Sequence, residues 1–238
     1  MKVIKVLNEK EVGKVAGDLI LSAIQSNSSS ILGLATGSTP ESTYEYLIED
    51  FKKNKTDWSK VKTFNLDEYV GLSPDHKKSY RYFMNDKLFH KINIDIKNTH
   101  VPDGLKIENP EDYDKLISKN GGIDLQLLGI GTNGHIGFNE PGTSFDSLTS
   151  VVDLTAETIE VNSRFFESAL EVPKKAVSMG LTSIMNARKI VLIAIGKNKA
   201  EAIKQLINGN ISINWPCTIL QNHKDVTVII DEEAASLI

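Results

Sequence analysis

The residues best suited to chemistry lie in DLQLLGIGTNGHIGFNEP, residues 124–141. A short apolar run opens the stretch, of the kind that makes a strand buried on both faces. Gly129, Gly131, Gly134 and Gly137 follow at close intervals around His135, and Glu140 stands just before Pro141. Glycines let a backbone turn sharply and pass close to a ligand. Imidazole titrates near neutral pH, and a carboxylate can fix which ring nitrogen carries the proton. His135 with Glu140 therefore reads as an oriented acid/base pair. Gly129-x-Gly131-x-x-Gly134 also matches the dinucleotide-binding spacing, with Asp153 about 20 residues on. That reading needs a long helix directly after the third glycine, and Gly137, Asn139, Pro141 and Gly142 rule it out. His76, His90, His100 and His223 have no comparable surroundings and read as structural.

Two other stretches could serve the same site. Asp67-Glu68-Tyr69 ends an apolar run, which puts a carboxylate at the ligand-binding edge of a sheet. Adjacent strand residues face opposite ways, so at most one of the two acids points into a given site. A carboxylate so placed can be a general base; the plainer alternative is that both cap the next turn. Thr36-Gly37-Ser38-Thr39 follows another apolar run and precedes Pro40. Backbone N–H groups beside hydroxyls at a helix start can bind an anion; the plainer alternative is a capped turn between strand and helix, and the GxxxxGK[ST] spacing of a P-loop is absent. A helix terminus contributes only about 0.3–1 kcal/mol toward an anion, so a bound phosphate should recruit cations too. Arg164 in VNSRFF and Lys199 in GKNKA are the candidates. Cys217 has no partner, no His or Cys cluster has metal-ligand spacing, and no G-x-S-x-G elbow is present.

The elements that must position these groups alternate. Strands are expected at residues 2–6, 31–35, 61–66, 124–128, 148–154, 177–180, 190–196 and 226–230, from apolar runs or period-two alternation. Helices are expected at residues 9–24, from Thr39 or Ser38 as N-cap to about Phe51, and at 76–90, 110–119, part of 156–170, and 198–207. Alternation of this kind predicts one α/β domain over residues 1–238: a Rossmann-like open sheet, mostly parallel, with helices on both faces.

Composition excludes several classes. Of 238 residues, 40% are hydrophobic and 24% charged, and the net charge is −4, the profile of a soluble globular protein rather than a nucleic-acid binder. A single cysteine suits a reducing compartment. The start, MKVIKVLNEK, lacks the apolar segment of a signal peptide, and the longest apolar run is too short to span a bilayer. A cytoplasmic protein is expected.

Taken together, LATGSTP, TFNLDEYVGL, SYRYFM, GIGTNGHIGFNEPG, VNSRFF and GKNKA resemble the glucosamine-6-phosphate deaminases, in that family's order, over residues 31 to 200. The resemblance implies conversion of D-glucosamine 6-phosphate and water into D-fructose 6-phosphate and ammonia, with no metal and no organic cofactor. Under it, Asp67 moves a proton between C2 and C1 through an enolamine. His135 opens the pyranose ring, Glu140 orients and tunes His135, and Thr36 to Thr39, Arg164 and Lys199 hold the phosphate. Some members carry Asp where this chain has Asn133 and others carry Asn, so Asn133 is expected to orient His135 by hydrogen bonding.

Long, hexameric, allosteric members extend well beyond this C-terminus and place basic residues in the segment matching SLTSVVDL, residues 147–154, which here has no Lys or Arg. A monomer that does not respond to N-acetylglucosamine 6-phosphate is expected. Two other readings have separate signatures. A sugar-phosphate lactonase of the same fold shares a similar GSTP turn but typically not GHIGFNEP, and it releases no ammonia. A sugar-phosphate sensor binds without turnover and has no need of a base.

Overall fold

The computed structural model describes residues 1–163, 166 and 171–238. The chain begins β1 (Lys2–Val6), α1 (Glu9–Ser26), β2 (Ile31–Leu34), α2 (Glu41–Asn54), β3 (Lys62–Asn65), β4 (Asp67–Tyr69) and α3 (Tyr80–Lys87). It continues through β5 (Thr99–His100), α4 (Asp112–Lys119), β6 (Leu125–Leu128), β7 (Ser150–Asp153) and α5 (Ala156–Ser163). It closes with β8 (Lys175–Ser178), α6 (Leu181–Met185), β9 (Lys189–Ala194), α7 (Ala200–Asn208) and β10 (Val226–Asp231).

Seven strands make one parallel sheet in the order β1-β10-β9-β6-β2-β3-β5. Side chains alternate across it, as strand geometry requires. Leu32, Leu34, Leu125, Leu127, Val191 and Ile193 point into one core with α1 and α2. Ile31, Phe64, Leu128, Leu192 and Ile230 point into the other, with α6 and α7. Both faces are covered, so these strands read as nearly continuous apolar runs. The strand order reverses between β2 and β6. β3 and β5 lie on one side of that junction, and β6, β9 and β10 on the other. An open α/β sheet has a crevice at such a reversal, at the C-terminal ends of the strands.

Several features depart from the sequence expectation, among them the edge strand β5, which no apolar run announces. A second, antiparallel sheet of order β4-β8-β7 stands beside the first. Its strands are three or four residues long, and their pairing is set by contacts distant in sequence. The helix expected over 76–90 is shorter, because residues 73–79 form successive turns and Ser79 caps α3 by accepting the Tyr82 N–H. Neither Thr39 nor Ser38 caps α2, which starts after Pro40 with no side-chain cap. Of the helix expected within 156–170, residues 164, 165 and 167–170 lie outside the described residues. Among the described residues, no helix is long and apolar enough to cross a membrane.

Candidate active site

A cavity of about 810 Å³ opens over the C-terminal ends of β2, β3, β6 and β9, and each of the four contributes. Residues 36–39 follow β2, Asp67 lies just beyond β3, Asn133 and His135 follow β6, and Lys199 follows β9; all line the cavity. The sheet thus gathers groups from four separate segments at the reversal in strand order. Arg164 lies outside the described residues.

The turn after β2 is set by two local features. Gly37 has φ 91°, a left-handed conformation that suits glycine. The Tyr44 hydroxyl, from the first turns of α2, donates to the Ala35 carbonyl and pins the end of the strand. On the far side of β6, Gly196 also has a positive φ of 89°, and its N–H donates to the Asp231 carboxylate. That contact fixes the start of the 3₁₀ turn Lys197–Lys199 and so places Lys199 at the cavity wall.

Asp67 leaves the end of β3 and pairs by its backbone with Ser178 of β8. The strand end before it is held by Tyr113, whose hydroxyl donates to the Asn65 carbonyl at 2.8 Å. Asp67 is 7% exposed, and among the described residues nothing donates to its carboxylate. Burial disfavours the ionised form and the neighbouring Glu68 charge adds to this, pushing the Asp67 carboxyl up to about 8. As the alternation of a strand requires, Glu68 faces the other way, toward α3.

The loop after β6 is built around His135. Its ring lies against Gly131, where an added Cβ would fall 2.2 Å from His135 Cε1; no other residue type leaves that room. Asn133 Oδ1 accepts from the His135 N–H at 3.2 Å and lies 2.8 Å from Nδ1. Asn133 Nδ2 donates to Glu140 Oε2 at 2.8 Å. An amide oxygen only accepts, so the proton belongs on Nδ1 and Nε2 is left as the basic nitrogen. Glu140 Oε2 itself is 3.4 Å from Nδ1, so the carboxylate reaches the imidazole chiefly through Asn133. Its other oxygen accepts from the Thr158 hydroxyl at 2.6 Å. Burial works to raise the Glu140 carboxyl, but the nearby His135 ring, whose long 3.4 Å contact acts more by its charge when protonated than as a hydrogen bond, together with the closer donors Thr158 and Asn133, outweighs it and holds the carboxyl at about 2.

One strand holds both chemical groups in register. Besides pairing with Asp67, Ser178 accepts the Phe138 N–H at its hydroxyl, and the next carbonyl, Met179, accepts from buried Asn139. Gly137, at φ 58°, passes so close that an added Cβ would lie 3.2 Å from Ser178 Oγ and 3.9 Å from Asp67 Oδ2. The acid and the imidazole loop therefore meet on one face of the cavity.

Sequence reasoning missed two contributors, Thr158 and Ser178. Thr158 lies on α5 with no local signal for its role. Ser178 shows its role only once β8 is paired. Lys77, Lys78, Tyr80 and Phe83 also line the cavity, so the segment 77–83, which carries two lysines and three aromatic residues, forms one wall. Among the described residues, no group of three His, Cys, Asp or Glu converges as metal ligands do.

The sequence matches the family described as glucosamine-6-phosphate isomerases/6-phosphogluconolactonase over residues 9–229. It is 55% identical to a glucosamine-6-phosphate deaminase of Thermoanaerobacter sp. (strain X514), over all of this chain and 95% of that one. It is also 55% identical to the enzyme of that name from Mycoplasma mycoides subsp. mycoides SC, over 99% of this chain and 97% of the other. A solved structure described as a monomeric glucosamine-6-phosphate deaminase superposes with a TM-score of 0.98, at 44% identity and full coverage of both chains. A 6-phosphogluconolactonase from Trypanosoma cruzi shares the fold alone, with a TM-score of 0.77 at 22% identity, over 99% of this chain and 96% of that one.

Proposed function

The chain belongs to the family of glucosamine-6-phosphate isomerases and 6-phosphogluconolactonases, and from that membership and the chemistry of the cavity we propose that it converts D-glucosamine 6-phosphate and water into D-fructose 6-phosphate and ammonia. One observation carries the reading: Asp67 and His135 share a single cavity with the Thr36–Thr39 turn. A sugar phosphorylated far from its reacting carbons needs an anion grip and acid/base groups on one concave surface, and these segments share one. Binding energy from the phosphate can then hold C1 and C2 over the base.

In this mechanism, His135 Nε2 takes the C1 hydroxyl proton and returns a proton to the ring oxygen, breaking the C1–O5 bond and opening the sugar. Asp67, ionised, removes the C2 proton to give the enolamine and delivers it to C1. The C2 iminium that results adds water and expels ammonia. Glu140 and Asn133 keep His135 in the tautomer whose Nε2 is basic. The backbone N–H groups and hydroxyls of Thr36, Gly37, Ser38 and Thr39, with Lys199 and Arg164, hold the phosphate. No step requires a metal or an organic cofactor.

The enzyme is read as a one-domain monomer of the cytoplasm with no second phosphosugar site. The solved relative described as monomeric supports the first part, and the lack of Lys or Arg in residues 147–154 supports the second. The decisive experiment is ammonia release from glucosamine 6-phosphate by metal-free protein. Stoichiometric ammonia and fructose 6-phosphate are expected. Binding without product, or lactone hydrolysis without ammonia, refutes the proposal. Sigmoidal kinetics relieved by N-acetylglucosamine 6-phosphate refute the absence of a second site.

A further inference from the structure

We propose that Glu68 is a positioning residue for this reaction: its carboxylate ties the strand bearing Asp67 to the first turn of α3, so that the base and the cavity wall keep one geometry. The inference rests on the deaminase reading for its kinetic consequences, and on the structure alone for the tether. Glu68 is 3% exposed. Its Oε1 accepts the N–H groups of Tyr69 at 2.8 Å and Tyr80 at 2.9 Å, and its Oε2 accepts that of Arg81 at 2.9 Å. Tyr80 and Arg81 open α3, where N–H groups have no partner within the helix and a negative charge is favoured. The Arg81 guanidinium continues the chain of contacts to Thr99 of β5, at 2.6 Å to the hydroxyl and 2.7 Å to the carbonyl. Lys77, Lys78, Tyr80 and Phe83, on or just before α3, wall the cavity. Three donors converge on one carboxylate, and a glutamine offers them a single acceptor oxygen.

The charge has a second consequence. It lies one residue from Asp67, and among the described residues it is the one charged group that acts on that carboxyl appreciably. From the packed elements, Tyr44 of α2, Tyr80 of α3 and Tyr113 of α4 also feel the Asp67 charge, as does Tyr69 on its own strand. Glu68 faces Arg81 of α3, and Asp103 lines the small cavity they share.

Two variants separate reach from charge. Glu68→Asp keeps the charge but cannot span to α3. It should lower kcat/KM about tenfold or more through misplacement of the wall, with the acid limb of the pH profile where the wild type has it. Glu68→Gln should lower kcat/KM and also move the acid limb to lower pH. If both variants keep the wild-type KM and acid limb, with activity tracking only the folded fraction, the proposal is overturned. Hydrogen exchange on the wild-type protein guards against variants that do not fold. The Tyr80 and Arg81 amides should be as protected as those of β4, and exchange as fast as the turn before α3 overturns the tether. Absence of ammonia from the wild type refutes the deaminase reading and leaves the exchange test standing.

Discussion

Replacing the proposed base should make the protein inactive and more stable at once. In Asp67→Asn the carboxyl is lost from a position 7% exposed, where among the described residues nothing donates to it. A group whose folded-state value is raised contributes stability that is complete below the unfolded value and lost as pH rises through the folded one. For Asp67 that window runs from 3.8 to about 8. At about 1.4 kcal/mol per pH unit, the wild type at pH 7 gives up about 4 kcal/mol that an uncharged amide retains. For a domain this size about 1 kcal/mol moves Tm by ~2–4 °C, so a rise on the order of 10 °C is expected near neutrality. Thermal unfolding of both proteins from pH 4 to pH 9, followed by tryptophan fluorescence, measures it, with ammonia release run in parallel. The gap in Tm should be near zero at pH 4 and widen toward pH 8, while turnover vanishes and substrate still binds. A gap independent of pH, or a variant that melts lower at pH 8, refutes the burial argument. A wild-type kcat refutes the role of Asp67 as base.

Four further outcomes are expected. In the wild type, kcat/KM should rise with pH to a plateau above about 8, the value burial and Glu68 give Asp67; a flat profile from pH 6 to 9 would assign the proton transfer to another group. Asn133→Ala removes the 2.8 Å contacts to His135 Nδ1 and Glu140. Hydrogen bonds to charged groups are worth about 1.5–3 kcal/mol, so kcat should fall by about 10- to 100-fold, and a change under twofold would show the amide to be idle. Arg164→Ala and Lys199→Ala should each raise KM more than they lower kcat, and wild-type KM values would place the phosphate elsewhere. Glu140 is held at about 2 against an ordinary 4.5, so its contribution is complete above 4.5 and lost as pH falls toward 2. Glu140→Gln should therefore show a shallower fall in Tm across that window than the wild type, and parallel melting curves would contradict the shift.

Most of the parallel sheet was legible because its strands are buried on both faces and stand out as apolar runs. β1 and the helical period of α1 followed from their own residues. The antiparallel sheet was not legible: β4, β7 and β8 are short, and β4 joins the other two only by backbone pairing with a segment about a hundred residues later in the chain. The same limit applied to the site. His135, Glu140 and Asp67 announce themselves by residue type at the ends of strands. Thr158 and Ser178 have no such signature, since a hydroxyl becomes a partner only where the fold brings it to a carboxylate or an N–H. Glu68 shows the subtler case. Alternation along a strand indicates that it faces away from Asp67, but not that three helix and strand amides wait there. The capping of α2 was misjudged because Pro40 already has helical φ and ψ and starts the turn without a side-chain acceptor.

The dependence of both reactive groups on β8 has a consequence for how such a site can change. Asp67 and the loop that carries His135 both meet Ser178, whereas the turn at residues 36–39 follows β2 and Lys199 follows β9. Any change that moves Ser178 therefore disturbs both segments at once, whereas the turn at residues 36–39 and Lys199 can vary without touching it. Asp67 also continues directly from β3 and His135 from β6, so the large sheet limits how far either can follow.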